Sequence, residues 1–186
     1  MSSPWRISAK HPELERIVPA PPAGRRDDAL RLADYIRQVT GAELPVSVDV
    51  SADQVRRALI LGTEQEIVRL GGIKAADLTV EDSFRLRADP RRDCLYLIGQ
   101  NDRGVFHAVS ELLERCFGVR WLTPWDTHVP RRTEVDIPRD LEVTSAPAFA
   151  RRGLHICFSG TDRAGRWRTH YDEKTLEWMR ANRMNM

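Results

Sequence analysis

The chain has 186 residues, 41% of them hydrophobic and 30% charged, and 29 basic against 27 acidic side chains leave a net charge of +2. That length serves one ordinary domain, or one domain and part of another, and the apolar share is enough to bury a core. The near balance of charge argues against a dedicated nucleic-acid binder, which would carry a basic surplus on one face; the pairs Arg25-Arg26, Arg56-Arg57, Arg91-Arg92, Arg131-Arg132 and Arg151-Arg152 are scattered along the chain.

The opening stretch, MSSPWRISAKHPELER, lacks the charged-then-apolar pattern of a secretory signal, and residues 1–16 read as a leader. RIVPAPPAG gives a short strand and a Pro/Gly turn. RRDDALRLADYIRQVTGAELP follows as an amphipathic helix, with Ala29, Leu32, Ala33, Ile36 and Val39 at helical spacing and Gly41 as its stop. PVSVDV alternates as a half-buried strand, and RALILG is a compact apolar run suited to a central strand. In TEQEIVRLGG, Thr63 and Glu66 have the spacing of a capping box. DSFRLRAD and DCLYLIGQ flank the turn PRRD as a hairpin. NDRGVFHAVSELLERCFG is a helix that Asn101 or Asp102 caps, with Val105, Val109, Leu112, Leu113 and Cys116 as its buried stripe and Gly118 at its end. VRWLTP and TEVDIP are further short strands.

This order predicts an α/β domain over residues 17–138, a mixed β-sheet with helices mainly on one face. RDLEVTSAPA, polar and punctuated by proline, reads as a linker over 139–148. Residues 149–186 change pattern. RRGLHICFSG, a long polar loop and DEKTLEWMRANRM make one strand–loop–helix unit, which cannot bury its own apolar faces. Leu154, Ile156, Leu176 and Met179 are expected to form an orphan surface that leaves this unit poorly ordered or drives self-association. The chain stops at EWMRANRMNM without a cap glycine or closing strand, as though partway through a larger fold.

Cys94, Cys116 and Cys157 fit no metal spacing and each has an apolar context; buried free thiols favour a reducing compartment such as the cytoplasm. No apolar run is long enough to span a membrane as a helix. Neither cofactor, metal, membrane nor nucleic acid is expected as a partner.

LADYIRQVTGAELP, LILG and the block SFRLRAD…CLYLIGQNDRGVFHAVSELLERCFGVRWLTP together resemble the N-terminal α/β domain that precedes the catalytic barrel in several glycoside hydrolases. The relatives this implies are alpha-glucuronidases, beta-N-acetylhexosaminidases and uncharacterised bacterial glycosidase-like proteins. The expected fold is then hexosaminidase domain-2-like, followed by the truncated first strand–helix unit of a (β/α)8 barrel. PAFARRGLHI…LEWMRANRMN is similar to the first barrel strand, loop and helix, and the resemblance implies that catalytic carboxylates lie on later barrel strands. No catalytic pair is therefore nominated. Asp34, Asp93, Asp102, Glu111, Glu114, Asp162, Asp172, Glu173 and Glu177 mostly occupy caps and helix faces.

The resemblance places Arg152 where hexosaminidase-like enzymes hold the hydroxyls of the terminal sugar, a task suited to a rigid fork of donors; an exposed arginine at a strand start is the other reading. His155 shares a strand face with Gly153 and Cys157, so it points towards a sugar or packs; a metal site there needs further ligands. Where the hexosaminidase pattern is usually acidic, this chain has Cys157. The loop SGTDRAGRWRTHYD holds Trp167, His170 and Tyr171, whose rings suit the apolar faces of a sugar. Trp121, Trp125 and His128 suit a domain–barrel interface. Two readings of different kind follow. One is a non-catalytic accessory domain and barrel fragment of a carbohydrate-active enzyme, which meets carbohydrate through the missing barrel. The other is a free-standing carbohydrate-binding or interaction module, whose tail would pack stably on the sheet domain.

Overall fold

The structure is a computed structural model and describes residues 3–21, 24–48, 50–51, 55–71, 77–154 and 172–185. Its centre is a five-stranded mixed sheet in the order β2-β3-β5-β4-β9, formed by β2 (Arg16–Pro19), β3 (Ala58–Thr63), β4 (Phe84–Asp89), β5 (Cys94–Gly99) and β9 (Glu142–Ser145). β2, β3 and β5 run parallel, while β4 pairs antiparallel with β5 and β9 antiparallel with β4. ALILG and CLYLIG are unbroken apolar runs because both faces of these strands are covered. Leu59, Leu61, Leu95 and Leu97 point into the larger core, beneath helices α1 (Arg26–Thr40) and α3 (Asp102–Leu112). Ala58, Ile60, Tyr96 and Ile98 point the other way, towards Ile67 and Leu70 at α2 (Glu64–Arg69). A last helix, α4 (Glu173–Ala181), lies outside α3 and buries Ala181 in the larger core. The mixed sheet and its helices thus have the expected arrangement, with α2 as the helix of the opposite face.

Local chemistry sets the boundaries. Gly41 ends α1 in the left-handed conformation, with its N–H donated to the Arg37 carbonyl. Thr63 and Glu66 close the capping box of α2: the Thr63 hydroxyl accepts from Glu66 N at 3.4 Å, and the Glu66 carboxylate accepts from Thr63 N at 2.7 Å. Thr63→Ala is expected to cost about 1 kcal/mol, read as a lower urea midpoint at unchanged m-value. After α3 the helix widens into a single π turn over Leu113–Phe117, which Gly118 terminates.

Three departures from the sequence reading concern chain organisation. Residues 1–16 are not a detached leader: β1 (Trp5–Ser8) pairs antiparallel with β8 (Glu134–Ile137), and Trp5 and Ile7 are fully buried in the larger core. Part of the expected linker is β9, the edge of the main sheet, registered from Phe84↔Ser145 to Arg87↔Glu142. Among its described residues, PVSVDV supplies one isolated bridge, Ile17↔Val46, rather than a strand. A small hairpin of β6 (Arg120–Thr123) and β7 (Asp126–His128) completes the fold. Among the described residues, no helix is long and apolar enough to cross a membrane.

Candidate functional site

The segment that follows β9 returns to the sheet domain at one buried carboxylate. Asp82, just before β4, has left-handed backbone with φ +63° and a side chain that is 1% exposed. Its Oδ1 accepts from Asn101 Nδ2 at 2.9 Å and Arg103 Nε at 2.8 Å. Its Oδ2 accepts from Arg152 Nη2 at 2.8 Å and Asn185 Nδ2 at 2.9 Å. Burial by itself would raise this carboxyl, but the donors from Arg103, Asn101, Arg152 and Asn185 outweigh it and hold Asp82 well below the usual carboxylate range. Behind it, His107 Nδ1 lies 3.3 Å from the Asp82 carbonyl oxygen. Burial pushes the imidazole down to about 4, so at neutral pH the uncharged ring donates from Nδ1 to that carbonyl. His107 is therefore a core residue, as its place on α3 suggests.

Arg152 is the predicted site residue that the structure describes. Its Nε donates to Arg183 O, Nη1 to Phe149 O and Nη2 to Asp82, each at 2.8 Å. A guanidinium has five N–H donors, so this geometry uses three of them on protein acceptors. The side chain is 18% exposed and held by these protein acceptors. Residues 151–154 have no regular structure, and His155, Trp167, His170 and Tyr171, with Ile156 and Cys157, lie outside the described residues.

α4 is capped by Asp172, whose carboxylate accepts from Thr175 N at 2.8 Å. Met179 is 2% exposed, packed rather than orphaned, while Leu154 and Leu176 remain 38% and 49% exposed. Charged contacts help explain this docking. Arg180 lies 3.2 Å from Asp28 and stacks its guanidinium over Phe106 at 3.7 Å, and Glu177 approaches Arg31 at 3.8 Å. Burial raises the Asp28 carboxyl, against the opposing pull of Arg180, Arg25 and Arg31. Trp178 donates to the Trp121 carbonyl at 3.0 Å, and Trp121 donates to the Tyr35 hydroxyl at 2.9 Å. Trp121 is thus part of the packing between α1, α4 and the β6–β7 hairpin, whereas Trp125 is 71% exposed. The cavity among Arg31, Tyr35, Trp121, Lys174, Glu177 and Trp178 is about 70 Å³, well short of the roughly 300 Å³ at which ligand pockets begin.

Asp162 lies outside the described residues, and four of the other acids have structural partners. Asp93 accepts from Trp5 and Arg139, Asp102 lies 2.5 Å from Arg25, and Glu111 and Glu114 both pair with Arg183, at 2.7 and 2.5 Å. Among the described residues no cluster of His, Cys, Asp or Glu has the makings of a metal site. Cys94 and Cys116 are free thiols, and burial pushes both up to about 11, so they are protonated and unreactive at neutral pH. The residue that sequence reading missed is Asp82: it lies in a polar run before a strand, and only its tertiary partners reveal it.

No family model and no curated protein matches this chain in sequence. Solved structures match in fold. A family GH115 4-O-methyl-alpha-glucuronidase with specificity for decorated arabinogalactans superimposes with a TM-score of 0.66 at 15% identity, over 97% of this chain and 25% of its own. The GH20 beta-N-acetylhexosaminidase from Streptomyces coelicolor A3(2) gives a TM-score of 0.52 at 18% identity, over 82% of this chain and 25% of its own. CpGH84D gives 0.50 at 11% identity, over 80% and 23%. The chain thus spans about a quarter of the length of the structures it matches, and its structural neighbours are glycoside hydrolases.

Proposed function

We propose that this chain is the non-catalytic N-terminal accessory domain of a carbohydrate-active enzyme of the glycoside hydrolase type, alpha-glucuronidase- or hexosaminidase-like, joined to the first strand–helix unit of a (β/α)8 barrel over residues 149–186. The observation that supports it best is the extent of the fold likeness. A match to the glucuronidase over 97% of this chain takes in the segment after residue 149 as well as the sheet domain. In this reading the sheet domain is a platform that braces the barrel's first helix, and Arg152, His155, Trp167, His170 and Tyr171 face the carbohydrate. An arginine anchored through three donors would meet sugar hydroxyls with little further loss of side-chain freedom.

The purified chain is expected to show no turnover of aryl glycosides or glucuronosyl oligosaccharides, measured as released phenol or reducing ends. Turnover that Arg152→Ala abolishes would overturn the accessory role. The packing of Met179 and Ala181 favours a second reading, a self-sufficient carbohydrate-binding or interaction module. Titration calorimetry with glucuronic acid, N-acetylglucosamine and their oligosaccharides separates the two: the module binds one of them as the isolated chain, and the accessory domain does not.

A further inference from the structure

We propose that Asp82 is a two-ended latch, through which Arg152, Asn185 and the helix α4 that precedes Asn185 are held to the sheet domain and released from it together. The two carboxylate oxygens divide the labour. Oδ1 faces the sheet domain, through Asn101 and Arg103 at the start of α3. Oδ2 faces the appended segment, through Arg152 and Asn185. Those two residues stand 33 positions apart and are bound to each other in both directions. Arg152 N donates to Asn185 Oδ1 at 2.9 Å, and Asn185 N donates to Arg152 O at 2.8 Å. Asn185 Nδ2 also reaches Ala150 O at 2.7 Å, and Arg152 Nε closes on Arg183 O. The segment therefore has a closed base, and Oδ2 is the point where that base meets the domain.

The surroundings make the carboxylate hard to replace. At 1% exposure its charge has no water to fall back on, so every lone pair left without a donor carries a desolvation cost. Its left-handed backbone suits Asp or Asn far better than a branched or bulky residue. Arg183, also left-handed at φ +61°, adds a second fastening where it reaches Glu111 and Glu114. Among the described residues of this segment, Leu154 and Leu176 stay at the surface. Release of the base is therefore a local event, distinct from unfolding of the sheet.

Asp82→Asn tests this, because it keeps the side-chain size and tolerates the same backbone while losing the charge and one acceptor oxygen. Native-state amide exchange is expected to quicken at least tenfold in α4, with β3 and β5 unchanged. Asn185→Ala, which touches only the segment side, should reproduce the pattern more weakly, and Arg103→Gln, on the domain side, should leave α4 protected. Unchanged exchange in α4 in Asp82→Asn overturns the latch, and so does equal acceleration of β3, β5 and α4, which would make Asp82 a global core residue. Should Asp82→Asn fail to fold, Asn185→Ala decides alone: selective release of α4 supports the latch and its absence overturns it.

Discussion

Gly99→Ala is expected to cost about 3 kcal/mol or more and to lower the melting temperature by roughly 6–12 °C for a chain of this size. β5 ends at Gly99, and the chain turns there directly into α3. A Cβ on Gly99 would stand 2.1 Å from Val105 N, 2.5 Å from Gly104 C and 2.6 Å from Asn101 O. All three are backbone atoms, so no side chain can swing aside to relieve the overlap. Relief requires the first turn of α3 to move off the sheet. That turn carries Asn101, whose side chain accepts from Gly104 N at 2.8 Å and donates to Asp82. Gly104 is locked from the other side, since a Cβ there would meet Ser83 O at 2.5 Å. Gly118→Ala is the control. Gly118 is left-handed at φ +77°, but its closest neighbour is the flexible end of Arg132, so its expected cost is only the conformational one, about 1–2 kcal/mol. Scanning calorimetry of both variants checks the difference. Equal midpoints for Gly99→Ala and the parent would refute the close approach of strand and helix.

Gly99 also shows which parts of the fold the sequence could reveal. IGQNDRG signals strand end, cap and helix start within a few residues, because each step there has a local cause. The helix stops at Gly41 and Gly118 and the capping box of Thr63 and Glu66 are legible for the same reason. The edge strand β9 was not, because Glu142 and Thr144 face water and Val143 is only partly buried, so EVTS has the composition of a loop. Its strand character comes from the ladder that β4 offers. The docking of α4, which only the alternative reading expected, was hard to see for a related reason. Leu176 and Met179 suggest an apolar stripe, yet Met179 is buried and Leu176 is not. Much of the remaining adhesion comes from Arg180 on Asp28 and Phe106 and from Trp178 on the Trp121 carbonyl. Arginine over a ring, or an indole N–H to a distant carbonyl, has no spacing rule to betray it. The candidate site divides along the same line. Arg152 was singled out through the resemblance to hexosaminidase-like enzymes, while Asp82, the acid that fixes it, is 70 positions away.

Trp5→Ala is expected to cost about 3–5 kcal/mol, the loss of a large buried ring, and urea unfolding of the intact chain measures it. Trp5 has the position of a leader residue and the environment of a core residue. It is fully buried, pairs with Ile137 across the β1–β8 ribbon and lies beneath the Arg139 guanidinium, 5.0 Å from its ring. Its indole N–H donates to Asp93 Oδ1 at 3.1 Å, and Arg139 completes the pairing of the same carboxylate oxygen. Removing the ring therefore opens a cavity and unfastens the turn between β4 and β5 together. Trp5→Phe separates these effects: most of the packing survives and the hydrogen bond does not, for an expected loss of about 1–2 kcal/mol. The two variants should also differ in their response to acid. The Trp5 hydrogen bond is the main cause that holds the Asp93 carboxyl below its ordinary range, with Arg139 assisting against burial. A carboxyl depressed in the folded state contributes stability above its unfolded pKa, near 3.9, and loses it as the pH falls further. The gap between Trp5→Phe and the parent should accordingly be constant at neutral pH and narrow below about pH 4, whereas the cavity cost of Trp5→Ala persists there. Unchanged stability in both variants at pH 7 would return residues 1–16 to the status of a dispensable leader.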